Sequence, residues 1–302
     1  MSIKTAFEKH FSEDNLKRIF TEYIIYSVAT GIDNLDQYGF RSQLDVQLEI
    51  FSRNMLAGTY QFTKYKLKLI SKGRNKIPRE ISIPTVRDRI AMRAICDFMT
   101  ERFNNSLSME LPQNVIKRVK NEVASGNYTG CIKLDVNNFY PSIKHNEMQS
   151  RLRRRIKDPA ILNVIESAIT SPTVVVSKRS DKPSERGVPQ GLAISNVMSS
   201  VYLINIDKYL KNHAGIAYFR YVDDVLISSD LNIANIIEFQ LEPTPVYFRK
   251  SIKLSDSKKE NIKLIFEFLK DEFKHSGEII ISTKTKSARK EIDYLLETFD
   301  MK

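Results

Sequence analysis

The spacing of apolar residues predicts helices along most of the chain. In these segments an apolar residue recurs every three to four positions, the period of an amphipathic helix. Residues that start and stop helices support the assignment, because Ser12 precedes the first segment, Gly31 follows it and Asp158-Pro159 breaks a later one. The predicted helices are 12–29, 41–57, 85–103, 114–123, 145–169 in two parts, a segment from the loop at 187–191 to Tyr209, 258–275 and 287–299.

Alternating residues or short apolar runs mark the predicted strands. Residues 65–71 and 79–84 alternate apolar and polar positions around a basic turn, which predicts a β-hairpin. Strands are also predicted at 130–136, on both sides of Asp223-Asp224 and at 278–282. Because strands and helices mix without a regular βαβ alternation, the pattern predicts an α+β fold.

Composition adds a basic character to this picture. The chain has 302 residues, a formal net charge of +11 and a pI near 9.4, with 42% hydrophobic residues. That apolar content supports a packed core and excludes disordered, collagen-like and coiled-coil classes. Positive charge dispersed among aromatic residues favours nucleic acid over a membrane as the partner. The sequence shows no apolar run of about 20 residues, no signal peptide and no cysteine framework, so we expect a cytoplasmic protein.

Three aspartates lie within or beside apolar strands. Asp135 ends one strand, and Asp223 and Asp224 separate two others. Carboxylates there are costly to desolvate unless a cation meets them, and Mg²⁺ is bound by one or two carboxylates together with substrate phosphates. In a basic protein this combination favours phosphoryl transfer on nucleic acid. Taken singly, each piece also fits a structural role, the pair as a hairpin turn and Asp135 as a strand-end cap.

Five motifs together resemble those of reverse transcriptases, and they occur in the family's order. They are REISIPTVRDR at 79–89, similar to the finger motif of bacterial and group II intron enzymes, DVNNFYPS at 135–142 (motif A), GVPQGLAISN at 187–196 (motif B), YVDD at 221–224 (motif C) and GEIIISTKT at 277–285 (motif D). The resemblance covers about residues 60–290. It implies a right-hand polymerase with fingers and an RRM-like palm sheet, of class α+β.

The resemblance implies RNA-directed DNA polymerase activity with an RNA template and dNTPs as substrates. In that reaction a primer 3′-hydroxyl attacks the α-phosphate of a nucleotide. Asp135, Asp223 and Asp224 are the implied catalytic residues. Together with the carbonyl of Val136 they are implied to bind two Mg²⁺ ions, with Mn²⁺ as an alternative.

Motifs A and B are implied to hold the sugar of the incoming nucleotide. Tyr140 occupies the family's position for a ring that leaves no room for a 2′-hydroxyl, and Phe139 is the alternative ring. Gln190 is implied to hydrogen-bond the sugar or the triphosphate. Gly191 permits close approach of the backbone.

Basic residues are implied to bind the triphosphate. Arg79 matches the finger arginine, and a lysine of the same hairpin, either Lys72 or Lys76, is expected to assist it. Lys284 matches the motif D lysine, which protonates or neutralises the leaving pyrophosphate.

Two other groups of charged residues have less specific patterns. Arg151, Arg154 and Arg155 belong to a cluster that we predict to follow a phosphate backbone, although such runs are also typical of solvated helix faces. Asp88 and Arg89 are predicted to form a structural pair.

The motifs divide the chain into predicted domains. The division gives an N-terminal helical segment at 1–60, a reverse transcriptase domain at 61–295 and a tail at 296–302, with fingers at about 61–129 and a palm at about 130–295 that carries an insertion near 230–256. Little or no thumb is expected. A structured RNA, a homo-oligomer or a second protein subunit is therefore expected to complete the grip on the duplex.

The sequences QGLAIS and FYPSI most resemble bacterial abortive-infection and defence-associated reverse transcriptases. That resemblance implies antiphage defence with a dedicated noncoding RNA. Three alternatives stay open: a retron-type enzyme that makes RNA-linked DNA, a non-catalytic RNA-binding scaffold that kept the fold, and an RNA polymerase with the same palm, which Tyr140 disfavours.

Overall fold

A computed structural model describes residues 2–74, 77–104, 106–127, 130–136, 138–229, 239–241, 244–246 and 279–281. At 130–136 and in the three short strands after residue 229 the description is of the backbone. No helix within these ranges combines the length and the apolar character needed to cross a bilayer.

Helices and antiparallel sheets mix along the described chain, which confirms the α+β class. The helices are α1 (Ile3–His10), α2 (Glu13–Ile19), α3 (Gln37–Arg41), α4 (Leu44–Leu56), α5 (Val86–Arg102), α6 (Pro112–Ser125), α7 (Phe139–Ser142), α8 (His145–Leu152), α9 (Pro159–Thr170), α10 (Ser195–Tyr202) and α11 (Ile204–Lys211). The strands are β1 (Tyr65–Ile70), β2 (Arg79–Ile83), β3 (Gly130–Val136), β4 (Thr173–Val174), β5 (Ile216–Tyr221), β6 (Asp224–Ser229), β7 (Phe239–Leu241), β8 (Thr244–Val246) and β9 (Ile279–Ile281).

Side-chain caps set several helix starts as predicted. The Ser12 hydroxyl accepts a hydrogen bond from the backbone N–H of Asn15, 3.4 Å away, at the start of α2. Asp158 caps α9 in the same way, and Pro159 fits the first turn because a proline there loses no helical hydrogen bond. These contacts confirm the predicted N-cap and the predicted break at Asp158-Pro159.

Two predicted helices have different limits. The helix at 12–29 ends as an α-helix at Ile19 and continues as a π-helical turn over Phe20–Ile24. The helix expected to reach Tyr209 is two helices, α10 and α11, separated at Leu203. The predicted helices at 258–275 and 287–299 lie outside the described residues.

The chain divides into two compact units, each formed from two stretches of sequence. The first combines Met1–Leu107 with Ile143–Tyr202, and the second combines Ser108–Ser142 with Leu203–Lys302. These limits cut across the division into an N-terminal segment, fingers and palm that the motifs suggested.

The N-terminal helices belong to the core of the first unit. The Phe7 ring of α1 meets the edge of the Phe98 ring of α5, with centroids 5.1 Å apart, and the Phe11 ring meets that of Phe51 in α4. All four rings are buried. The N-terminal helices therefore contribute buried side chains to the core of this unit.

A small sheet in the first unit has the strand order β2-β1-β4. Strands β1 and β2 form the predicted antiparallel hairpin, with register from Lys66 opposite Ile83 to Ile70 opposite Arg79. The short strand β4 runs parallel to β1.

Asp88 joins α5 to the segment that leads into β1. It is fully buried, and its carboxylate accepts hydrogen bonds from the Tyr60 hydroxyl at 2.5 Å and from the backbone N–H of Thr63 at 3.1 Å. Burial, with the negative charge of Asp88, raises the pKa of Tyr60 well above its usual value, so the phenol stays a donor.

Arg89 does not pair with Asp88, so the predicted pair is wrong. Its guanidinium donates instead to the Ser27 hydroxyl and to the Ala29 carbonyl. Neighbouring residues on a helix point in different directions, which is why each finds a different partner. Both residues nevertheless have structural contacts within the first unit.

Replacing Asp88 by alanine is expected to lower the free energy of unfolding by about 2 kcal/mol, because a buried hydroxyl and a partly buried N–H lose their acceptor. Urea unfolding measures this change. Asp97→Ala on the same helix is the matched control, since Asp97 pairs with Arg93 in a partly exposed contact. The control is expected to cost less than about 1 kcal/mol. Equal losses in the two variants would contradict a specific role for Asp88.

The larger sheet lies in the second unit and has the strand order β5-β6-β3-β9. Each neighbouring pair in it is antiparallel. The first and third of these strands in the sequence, β3 and β6, are central, which is the order of an RRM-like sheet. An apolar cluster of Val115, Val119, Phe219 and Leu226 packs α6 against the sheet. Strand β9 confirms the strand predicted at 278–282.

Candidate active site

The positions of the three candidate aspartates lie at one end of the larger sheet. Strands β3 and β6 pair so that the Cα of Asp135 lies opposite that of Asp224. Strands β5 and β6 form a hairpin in which Tyr221 is opposite Asp224, so Val222 and Asp223 make its two-residue turn. Opposite residues of antiparallel strands share a face of the sheet, and the register therefore brings these acidic positions together.

The turn that carries Asp223 is strained. Val222 has φ of 55°, in the left-handed region that suits glycine or asparagine and not a β-branched residue. Such a conformation costs about 1–3 kcal/mol and persists only where surrounding contacts determine it. Strain of this kind clusters at functional sites.

A buried ion pair lies beneath this turn. The Arg220 guanidinium donates from Nε to Asp207 Oδ1 at 2.7 Å and from Nη2 to Asp207 Oδ2 at 2.5 Å. Its third nitrogen, Nη1, donates to the Val222 carbonyl at 2.7 Å. The Tyr218 hydroxyl also donates to Asp207, at 2.7 Å. Burial, with the charge of Asp207, raises the pKa of Tyr218 well above its usual value, which keeps the phenol protonated.

Sequence reasoning did not identify this ion pair. The sequence does indicate that Arg220 has a partner, because it lies in the apolar strand AYFRYV and a cation in a buried strand requires a counter-charge. The sequence gives no indication that Asp207, which lies on α11, supplies it. That assignment requires the tertiary structure.

The loop before α10, at 187–191, lies in the first unit and is fixed by hydrogen bonds to its backbone. The Gly187 N–H donates to the Ile143 carbonyl at 2.7 Å, and the Gly187 carbonyl contacts His145 Nε2 at 2.6 Å. The Ser195 hydroxyl donates to the Pro189 carbonyl at 2.6 Å. The sequence pattern gives no indication of these contacts for His145 or Ser195.

The same loop is joined to strand β2. The Ser82 N–H donates to the Gln190 carbonyl at 2.7 Å. Gly191 has φ of +94°, and a Cβ at this position would lie 2.6 Å from Ile81 Cγ2. Two features of this position therefore require glycine: its backbone conformation and its close approach to β2. Gln190 is partly exposed.

Comparison with known proteins decides the family. Residues 70–296 match the family described as "Reverse transcriptase (RNA-dependent DNA polymerase)". The chain belongs to the reverse transcriptase family. Its motifs A, B and C at 135–142, 187–196 and 221–224 all fall within the matched residues.

Relatives of this reverse transcriptase are distant. Protein YkfC of Escherichia coli (strain K12) is 27% identical over 192 residues, which cover 60% of this chain and 49% of YkfC. The putative COX1/OXI3 intron 2 protein of Saccharomyces cerevisiae is 26% identical over 142 residues, which cover 44% of this chain and 16% of that protein. The chain thus spans about half of the first and a smaller part of the second.

Among solved structures, this reverse transcriptase is similar to telomerase from Candida albicans in complex with a TWJ fragment of telomeric RNA. The TM-score is 0.49 and the sequence identity is 13%. The match covers 89% of this chain and 52% of the telomerase chain.

The motif A aromatics of the reverse transcriptase differ in exposure. Phe139 is buried at 2% exposure, whereas Tyr140 is partly exposed. Their ring centroids are 5.5 Å apart on α7, directly after β3. Of the two rings, Tyr140 thus has the larger exposed surface.

Two of the residues predicted to bind the triphosphate are described, and both lie on the β1–β2 hairpin of the first unit. Arg79 begins β2, Lys72 follows β1, and both side chains are exposed. Lys76 and Lys284 lie outside the described residues, so the choice between Lys72 and Lys76 stays a prediction.

The arginine cluster divides into one buried and several exposed members. Arg151 is 8% exposed, with its guanidinium 4.4 Å from the centroid of the Tyr202 ring. This burial argues against the predicted phosphate contact by Arg151. Its position on α8 explains the difference, because Met148 and Leu152 share that buried face. Arg154 and Arg155 are exposed, and for them the prediction stands.

The residues at the aspartate end of the larger sheet suit a divalent metal. Carboxylates and backbone carbonyls are the donors that Mg²⁺ takes, and the β3–β6 register gathers the positions of Asp135, Val136 and Asp224 beside the Asp223 turn. Among the side chains that the structure describes, no group of three or more His, Cys, Asp or Glu residues forms a metal site. The fit therefore rests on backbone register and donor chemistry.

Proposed function

We propose that this reverse transcriptase is an RNA-directed DNA polymerase that extends a primer 3′-hydroxyl. The observation that carries the proposal is the register that places Asp135 opposite Asp224, next to the turn that contains Asp223. Family membership supports the same activity. The relatives are longer than the region they share with this chain, so the activity is assigned here from the chain's own residues.

Asp135, Asp223 and Asp224, with the Val136 carbonyl, would hold two Mg²⁺ ions. Bound there, the ions would supply charge stabilisation for the attacking hydroxyl and the leaving pyrophosphate. The protein's part is to keep the carboxylate positions fixed before substrate arrives, because preorganised charge needs no rearrangement during the reaction. The sheet register and the strained turn provide that rigidity.

Nucleotide binding would use the partly exposed Tyr140 and the exposed cations Arg79 and Lys72. The Gly187–Gly191 loop would present Gln190 to the nucleotide, because its own backbone is held by β2, His145 and Ser195. A fixed loop loses little further entropy on binding a ligand.

A primer-extension assay tests the activity. The purified chain is supplied with an RNA template, a DNA primer, labelled dNTPs and Mg²⁺, in parallel with EDTA. Extension that depends on template and metal is expected. RNA binding without extension would contradict the proposal and support the scaffold alternative.

Removing the aromatic ring at position 140 is expected to relax sugar selection. In Tyr140→Ala the use of rNTPs relative to dNTPs should rise on the order of a hundredfold, because the ring that would exclude a 2′-hydroxyl is gone. Single-nucleotide incorporation kinetics measure the ratio. Tyr140→Phe is the matched control and should keep the wild-type preference. An unchanged ratio in Tyr140→Ala would contradict the sugar contact.

The biological setting that we propose is antiphage defence with a dedicated noncoding RNA. The resemblance of QGLAIS and FYPSI to defence-associated enzymes supports it. The proposed partners are that RNA and either further copies of this chain or a second subunit.

Sequencing the RNA that co-purifies with the chain tests this setting, together with phage plating on cells that express it. One abundant RNA species and fewer plaques are expected. A broad sample of host RNA, or plaque counts equal to those of cells without the protein, would contradict the defence role.

A further inference from the structure

We propose that Arg220 is a positioning residue that acts through the Val222 carbonyl to fix the Asp223 turn, and that Asp207 in turn fixes Arg220. The inference rests on the proposed function, because it gives the turn a catalytic purpose. We call these two side chains and their hydrogen bonds the Asp207–Arg220 brace.

The contact with Asp207 sets the orientation of the Arg220 guanidinium. Asp207 accepts from both Nε and Nη2 of Arg220, and this two-point contact fixes the plane of the guanidinium. The Tyr218 hydroxyl donates to the same carboxylate and limits its rotation. With its plane fixed, the guanidinium directs Nη1 to the Val222 carbonyl.

Both side chains of the brace are buried. The side chains of Arg220 and Asp207 are 0% and 3% exposed, so water offers neither of them another partner. A buried ion pair is weak support for stability, because apolar residues of similar volume often serve as well. A role in fixing one conformation accounts better for a guanidinium that uses its third nitrogen on a turn.

The hydrogen bond from Arg220 reaches the strained residue of the turn. Val222 adopts φ of 55°, which its β-branched side chain disfavours, and the hydrogen bond to its carbonyl opposes relaxation toward a more common conformation. Asp223 follows Val222 directly and shares the peptide unit of that carbonyl. Rotation of this peptide would therefore move the Asp223 backbone and with it the position of a proposed metal-binding carboxylate.

Arg220→Lys tests the brace, since lysine keeps the charge opposite Asp207 but lacks the planar group that bonds Asp207 and the Val222 carbonyl together. We expect kcat for primer extension to fall about 10- to 100-fold and Mn²⁺ affinity, measured by EPR without substrate, to weaken about tenfold. KM for the dNTP should change little, whereas the thermal midpoint should fall, because lysine leaves buried hydrogen-bond acceptors without a donor. Arg118→Lys is the matched control, because Arg118 contacts Glu110, the Phe219 ring and the Tyr218 carbonyl but not the turn. It should keep both wild-type values.

Val222→Gly separates positioning from simple stability. Glycine adopts positive φ without strain, so the turn needs less support. We expect the Arg220→Lys penalty in kcat to shrink severalfold in the Val222→Gly background. Penalties that simply multiply would indicate a general structural role and overturn the proposal.

Asp207→Asn serves as the second variant if Arg220→Lys does not fold, and the same loss of kcat and Mn²⁺ affinity is expected. A wild type that extends primers beside folded brace variants with unchanged kcat would overturn the positioning role alone. A wild type that neither extends primers nor binds Mn²⁺ would overturn the proposed function.

Discussion

Replacing Asp223 by asparagine is expected to reduce primer extension more than about a thousandfold, because a metal-binding negative charge is lost where phosphate charge develops. Asparagine keeps the size and shape of the side chain. The residue lies in a partly exposed turn and not in the core, so the thermal midpoint should stay within a few degrees of the wild-type value. Single-turnover incorporation with saturating dNTP measures the rate of the chemical step.

Asp14→Asn is the control for a general effect of losing one carboxylate. Asp14 is exposed in the first turn of α2, in the other unit of the chain. It should extend primers at the wild-type rate. Extension by Asp223→Asn at a rate close to that of Asp14→Asn would remove Asp223 from the catalytic set.

Introducing a methyl group at Gly191 is the second change with a large expected effect. In Gly191→Ala the backbone at φ of +94° costs about 1–2 kcal/mol, and the new Cβ meets Ile81 Cγ2 at 2.6 Å. Relief of this contact separates the loop from β2 and weakens the hydrogen bond between Ser82 and Gln190. We expect kcat/KM for dNTP to fall about a hundredfold, because a displacement near 1 Å in a binding group has effects of that size.

Gly126→Ala separates the contact from the backbone strain. Gly126 also has positive φ, at +66°, but a Cβ there meets nothing within 4 Å. This control should lose stability by a similar backbone term and keep its dNTP kinetics. Equal kcat/KM values in the two variants would show that the approach of the loop to β2 does not matter for nucleotide binding.

The fold was largely predictable because its elements follow local periodicity. The β1–β2 hairpin alternates apolar and polar residues, and strands β5 and β6 are short apolar runs, so each hairpin has a local sequence pattern. The packing of the N-terminal helices into the core of the first unit could not be predicted in this way. Contacts such as that between Phe7 and Phe98 join residues far apart in the sequence, and no local pattern reports them.

Sequence motifs identify the candidate catalytic residues, but they do not identify the tertiary contacts that hold those residues in place. Asp135, Asp223 and Asp224 could be named as candidates because motifs A and C resemble those of reverse transcriptases, and acids beside apolar strands are consistent with a bound cation. The brace partner Asp207 could not, since an aspartate on a helix has an ordinary sequence environment. Arg151 shows the converse, because a run of arginines suggests an exposed face although helical geometry turns one of them inward.

The most direct test of the central claim is to sequence the product of a primer-extension reaction on a defined RNA template. The wild-type chain is compared with Asp223→Asn under the same Mg²⁺ concentration. Our account predicts DNA complementary to the supplied RNA from the wild type and none above background from the variant. Equal product from both proteins, or no product from a folded wild type that binds the primer–template, would contradict it.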